Sequence, residues 1–342
     1  MPTYLVSAVQ KSHPFLQIYF TNMFMRSLTF TASSAVLLST LVSSAFATPS
    51  NFASSVSNTE TNTKVLAQNV IQLQRIPHGT IQAIANGQDR YAAIWVKSGS
   101  SAWEARHGLT SAQYQATFDK LVGQGYRLVD VSGYGVNGQD RYAAIWVKSG
   151  GPAWQARHGL TSAQYQATFD KLVGQGYRLV HVSGYSVNGK DRYAAIWEKS
   201  DGPAWEARHG LTSAQYQATF DKLVGQGYRL VDVSGYGVNG QDRYAAIWVK
   251  SGGPAWQARH GLTSAQYQAT FDKLVGQGYR LVHVSGYNVN GQNLYAAIWE
   301  KSNSPAWEAR HGLTSDDYQA TFDKLVGEGY RLVDVSGYSV KP

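Results

Sequence analysis

Apolar and polar positions in this chain recur together on a step of 51 residues. The apolar block Tyr-Ala-Ala-Ile-Trp places Trp95, Trp146, Trp197, Trp248 and Trp299 on that step. A second tryptophan follows eight residues later each time, at Trp103, Trp154, Trp205, Trp256 and Trp307, which completes the set of ten. Residues 142–192 serve as the type copy. Tyr142 to Lys148 is apolar and aromatic and predicts a strand. Ser149-Gly150-Gly151-Pro152 predicts a turn, with Pro152 opening a short segment from Ala153 to Arg157. Thr161 followed by Gln164 is a capping box that starts a helix. Tyr165, Phe169, Leu172 and Val173 fall on one stripe of that helix, and Gly174 and Gly176 end it. Tyr177 to Val187 predicts the next strand. Asn188 to Asp191 then turns the chain, as a hairpin, into the next Tyr-Ala-Ala-Ile-Trp block.

The expected fold class is an α+β tandem repeat: five ββα units over residues 79–342, with copies at 91–141, 142–192, 193–243, 244–294 and 295–342. Counted from about Thr80, the chain offers six copies of the first strand type, five of the second and five helices. It begins and ends on the same strand type, which leaves an open array or a closed ring. Both strands are apolar on both faces, so helices should cover one face and neighbouring repeats the other. No unit could then bury its surfaces alone, and stability should build along the array. Copies 142–192 and 244–294 differ at four positions only, the mark of recent duplication.

One alternation breaks the 51-residue identity. The first strand carries Asp130, His181, Asp232, His283 and Asp334, while its hairpin partner carries Val147, Glu198, Val249 and Glu300. With a four-residue loop at Asn188 to Asp191, His181 lies across from Glu198, and His283 from Glu300. The alternation then reads as compensated polar pairing within each hairpin.

Composition narrows the function. The chain has no cysteine, which excludes disulfides, thiolate metal sites and cysteine catalysis. Its net charge of +8 invites a nucleic-acid partner, but the successive copies carry +1, +4, −1, +3 and −2. A surface that tracks a phosphate backbone needs one continuous sign, so no nucleic acid is expected. Residues 1–47 contain no acidic residue. From Met25 they read as a signal peptide, with Arg26, an apolar core from Ala35 to Val42, and an Ala45-Phe46-Ala47 cleavage site; translation could start at Met23 or Met25. The apolar run is too short to span a bilayer, so export without stable membrane insertion is expected, to the medium or a periplasm. Residues 48–78, rich in Ser, Asn and Thr, read as a flexible linker.

Two sets of side chains are candidate ligand contacts. The Arg-His pairs Arg106-His107, Arg157-His158, Arg208-His209, Arg259-His260 and Arg310-His311 stand before each helix, where an anion could sit; they could equally satisfy loop carbonyls. Trp103, Trp154, Trp205, Trp256 and Trp307 follow a turn and could stack on sugars or peptides, whereas Trp146 and its copies read as core. No metal site, cofactor or catalytic residue is expected: the chain has no G-x-S-x-G elbow, no S-x-x-K and no phosphate-binding glycine loop.

The recurring Arg-Tyr-Ala-Ala-Ile-Trp, Ala-Arg-His-Gly-Leu-Thr, Tyr-x-x-x-Phe-Asp and Gly-Tyr-Arg-Leu-Val resemble the bacterial tandem repeat domain 1 family, across about residues 80 to 342. That repeat is similar to the N-terminal domain of fungal polyglycine hydrolases, in which a separate β-lactamase-like domain carries the catalytic serine in an S-x-x-K motif. The resemblance therefore implies no catalytic residue here. The expectation is a secreted, non-enzymatic binding or scaffolding protein that engages an extracellular polysaccharide, peptidoglycan or extended peptide. The alternative is an accessory or orphaned substrate-binding domain of a secreted β-lactamase-like serine hydrolase.

Overall fold

A computed structural model describes residues 89–97, 101–302 and 305–340. The signal peptide and linker expected from the sequence lie outside the described residues. Three strand types and one helix type recur. The Tyr-Ala-Ala-Ile-Trp strands are β1 (Asp89–Val96), β4 (Gln139–Lys148), β7 (Lys190–Lys199), β10 (Gln241–Val249) and β13 (Gln292–Lys301). The Tyr-Arg-Leu-Val strands are β3 (Tyr126–Val136), β6 (Tyr177–Val187), β9 (Arg229–Val238), β12 (Tyr279–Val289) and β15 (Arg331–Ser339). The helices are α1 (Ser111–Gly123), α2 (Ser162–Gly174), α3 (Ser213–Gly225), α4 (Ser264–Gly276) and α5 (Ser315–Gly327). Four of them open on the expected capping box, Thr161 and Gln164 satisfying each other's backbone N–H in α2.

The third strand type was not expected. Each short segment that begins at the second tryptophan of a copy is an edge strand: β2 (Trp103–Thr110), β5 (Trp154–Leu160), β8 (Trp205–Leu211), β11 (Trp256–Thr263) and β14 (Trp307–Leu313). Its pattern hides it because a bulge between Arg157 and Leu160 interrupts the pairing with β7. Gly159 takes φ +66 there, a conformation that glycine adopts without strain.

These elements form five three-stranded antiparallel sheets, or blades: β2-β4-β3, β5-β7-β6, β8-β10-β9, β11-β13-β12 and β14-β1-β15. The last one settles the choice between array and ring. β1, the first described strand, is the middle strand of the fifth blade, between β14 and β15. The inner strands β3, β6, β9, β12 and β15 each pack on the next, and β15 packs on β3. The repeats therefore close into a ring of separate sheets, which is not a hydrogen-bonded barrel. Among the described residues, no helix is long and apolar enough to cross a membrane.

The cores lie between blades. Tyr193, Ala195 and Trp197 of β7 pack with α2 and with Ala245 and Ile247 of the third blade. On the opposite face of the same strand, Ala194 and Ile196 pack with α1 and Trp146 of the first. Four such cores follow the described order, and a fifth joins Trp95 and α5 to Ala143 and Ile145 across the closure. All five block tryptophans are fully buried, as expected for core. Every blade thus completes the core of its neighbour.

The hairpin register corrects one expectation. The loop has two residues, Asn188 and Gly189 at φ +52 and +71, and Val187 pairs with Lys190. Two successive left-handed residues suit the right-handed twist of the strands. A bulge at Val180 then sets His181 opposite Ile196, and Glu198 opposite Arg178. The His–Glu pairing inside the hairpin does not exist.

Candidate functional site

The Asp and His positions of the inner strands meet instead around the centre of the ring. His181 lies 3.2 Å from both Asp130 and Asp232, and His283 lies 3.3 Å from Asp232 and 2.8 Å from Asp334. His181 Nε2 is also 2.9 Å from the Val131 carbonyl, and His283 Nε2 is 2.8 Å from that of Val233. With acceptors at both ring nitrogens, each imidazole is satisfied only when doubly protonated. Burial opposes that charge, but the Asp232 and Asp334 carboxylates outweigh it, raising His181 to about 9 and His283 to about 10. Asp232, between two imidazoliums, is held below the usual carboxylate range even though burial pushes it up.

Five is an odd number, so the alternation cannot close. Asp130 follows Asp334 around the ring. Burial first, and the Asp334 charge as well, raise Asp130 to about 7, against the attraction of His181. Its Oδ2 accepts the Val335 N–H at 2.8 Å, as Asp232 accepts that of Val182 and Asp334 that of Val284. A second tier runs beside this one. Ser183, Ser234, Ser285, Ser336 and Ser132 each accept a glycine N–H from the preceding blade at 2.9–3.0 Å. The axial space beside these serines is about 70 Å³, room for a water or two rather than a ligand.

The Arg-His pairs sit farther out, where they build joints. His158 Nε2 lies 3.2 Å from Ser111 Oγ at the start of α1, and its ring meets Tyr114 and Tyr142 edge-on at 4.6 and 5.1 Å. His209 and His260 face Ser162 and Ser213 in the same way, and His107 faces Ser315 across the closure. His311 packs on Tyr267 and Tyr295. Burial lowers all five, His107 and His209 to about 4, so they are neutral hydrogen-bonding groups at neutral pH. Arg106, Arg157, Arg208, Arg259 and Arg310 each donate to the carbonyl of the alanine before them at 2.6–2.7 Å. None of these pairs stands free at a helix N-terminus.

Trp103, Trp154, Trp205, Trp256 and Trp307 are half-buried, each against a phenylalanine of the preceding blade's helix at 5.6–5.7 Å. Arginines from the preceding inner strand cover three of them: Arg127 lies over Trp154, Arg178 over Trp205 and Arg229 over Trp256. The structure brings part of the candidate set together in one groove. Between the fourth and fifth blades, Trp307, Arg310 and His311 line a cavity of about 510 Å³ with Tyr267 and Phe271. Between the second and third blades, Trp205 opens on another of about 470 Å³, with Tyr177, Arg178 and Tyr228. Among the described residues, no group of three or more His, Cys, Asp or Glu could hold a metal ion. The inner-strand arginines were missed from sequence. Their recurrence in Tyr-Arg-Leu-Val was visible, but not their reach across a joint.

A family model described as polyglycine hydrolase-like, structural repeat, matches residues 80–98, 100–149, 151–200, 202–251, 253–302 and 304–342. Its four complete units coincide with blades one to four. Its two partial matches are the two pieces of the fifth blade, contributed by the first and last parts of the repeat region.

Proposed function

The chain belongs to the polyglycine hydrolase-like structural repeat family, and from that premise we propose that it is a non-enzymatic binding or scaffolding protein engaging an extracellular polymer. The observation that carries this is the groove between consecutive blades. At two joints it has the volume of a small-molecule site and an aromatic wall with polar groups at its side. The same side chains recur every 51 residues around a closed ring, so a repetitive ligand meets several weak sites at once and is held by their combination. Export to the medium or a periplasm follows from the leader sequence. Probing the mature chain against glycan, peptidoglycan and extended-peptide arrays tests the proposal. Saturable binding to a polymer, weakened by Trp307→Ala, is expected; silence on every array at high micromolar protein removes it.

A second role is as an accessory or orphaned substrate-binding domain of a secreted β-lactamase-like serine hydrolase, a reading that rests on the likeness of this repeat to that of polyglycine hydrolases. Adding the purified chain to such an enzyme encoded nearby would then raise its kcat/KM on a polymeric substrate, and leave a small chromogenic substrate unaffected.

A further inference from the structure

The joints are not equivalent. At the first-to-second and third-to-fourth joints, Arg127 and Arg229 reach Glu198 and Glu300 at 2.9 Å, and the carbonyls of Pro152 and Pro254 at 2.6 and 2.5 Å. At the second-to-third joint the residue in place of Glu198 is Val249. Arg178, the counterpart of Arg127, is only 9% exposed and has no hydrogen bond or ion pair among the described residues. Its guanidinium lies over Trp205, 6.0 Å from the ring, and against Gly202, where a Cβ would strike it. Glu198, opposite it on its own hairpin, is engaged by Arg127. Arg280 and Arg331 likewise face joints with Val96 and Val147, and their buried Nε atoms are unpartnered. Arg178 is the one whose linking loop is fully described.

The Arg178 nitrogens keep contact with the cleft, so their donors stay available to an acceptor from outside. Arginine presents a planar fork of donors suited to a carboxylate, and the paired joints show which group fits. We propose that the cleft between the second and third blades is a carboxylate subsite for an acidic polysaccharide, in which a uronic acid occupies at Arg178 the place that Glu198 occupies at Arg127. The cavity of about 470 Å³ has Tyr177, Trp205 and Tyr228 along it, apolar surfaces of the kind that sugar rings cover. Of the acids that also line it, Glu206 is held by Arg208 at 2.8 Å, and Asp201 stands exposed. A sugar chain fits better than a peptide adding to the sheet edge. Arg208 is folded back onto the Ala207 carbonyl of β8 at 2.7 Å, and charged side chains along an edge strand keep further strands off.

This inference rests on the polymer-binding reading above and deepens it. The test measures binding of the full chain to oligogalacturonate by calorimetry, beside its methyl ester, a neutral galactan oligomer and poly-glutamate of equal length. Two variants accompany the wild type. Arg178→Ala removes the donor, and Val249→Glu supplies an internal carboxylate equivalent to that of Glu198. Oligogalacturonate should bind, and each variant should lose one bound equivalent or weaken that site at least tenfold; Val249→Glu should also raise Tm. Unchanged galacturonate binding in a folded Val249→Glu chain overturns the inference, as does equal binding of the methyl ester. Binding of poly-glutamate that depends on Arg178 overturns the glycan assignment. Neutral galactan bound independently of Arg178 sinks this inference alone and leaves the polymer reading intact; silence towards all four also overturns this inference, and the polymer reading then stands or falls by the arrays above.

Discussion

At the scale of single residues, the joints near the axis are set by glycines that leave room for tyrosines. A Cβ on Gly184 would collide with the ring of Tyr236 from the next blade, whose hydroxyl lies 2.6 Å from that of Tyr193. The equivalent Tyr–Tyr contact recurs at all five joints, at 2.6 or 2.7 Å. A methyl group there displaces a buried aromatic ring rather than a flexible side-chain tip. Gly184→Ala should therefore lower stability by about 1–3 kcal/mol, the cost of overpacking a filled core, read as a lower urea midpoint. At Gly174, the end of α2, an added Cβ would meet nothing within 4 Å. Gly174→Ala should stabilise by about 0.5 kcal/mol through helix propensity. An equal loss in both variants would mean that the tyrosine contact is not what demands glycine. The histidines show how far sequence reaches at this scale. The His181–Asp232 alternation was plain, but its partners sit about 50 residues away on neighbouring blades, and no local pattern encodes a contact between blades.

At the scale of elements, the helices were legible because their signals are local: a capping box, one apolar stripe and a terminal glycine. Thr161 and Gln164 cap α2 as the sequence implied. The edge strands were not legible. Trp154 to Leu160 mixes Gln, Arg and His with apolar residues and contains a bulge, so neither a period of two nor a continuous apolar run appears. The hairpin signal is plain, but its loop holds two residues rather than the four from Asn188 to Asp191, and the bulge at Val180 adds a shift that no spacing rule supplies. The closing strand is the element whose removal tests the ring most directly. Among the described residues, β1 alone joins β14 to β15 in the fifth blade, and Tyr91, Ala93 and Trp95 fill the core shared with the first. A chain beginning at residue 98 should unfold at a Tm lowered by more than 10 °C, with the fifth blade losing protection from hydrogen exchange first. A peptide spanning residues 80–98, added in trans, should restore much of both. Unchanged stability after truncation would show that the fifth blade does not need its middle strand.

At the scale of the whole molecule, an odd number of blades meets an alternation with a period of two. Blades one, three and five carry the aspartate, and blades two and four the histidine, so one seam must join like to like. Asp130 at that seam faces Asp334, His181 and, across the ring, His283, with the Tyr114 and Tyr318 rings packed nearby. A carboxyl raised to about 7 from 3.8 binds its proton more tightly in the folded chain. Its stabilising share is therefore complete below pH 3.8 and lost as pH rises through 7. His181 and His283, raised to about 9 and 10, contribute stability that is complete below pH 6.5 and lost as pH climbs through those values. The five outer histidines act in the opposite sense. Lowered by burial, His107 and His209 to about 4, they favour folding above pH 6.5 and oppose it as pH falls towards their folded values. Five joints outweigh one seam on the acid side, and two imidazoliums dominate the alkaline side, so Tm should peak near pH 6–7 and decline both ways. Asp130→Asn isolates the seam, because asparagine keeps an oxygen for the Val335 N–H and adds donors for Asp334. Relative to wild type, its Tm should rise steadily between pH 4 and pH 7 and hold a constant advantage above. A difference that stays flat across that interval would mean that the repulsion expected from an odd ring is relieved somewhere other than at Asp130.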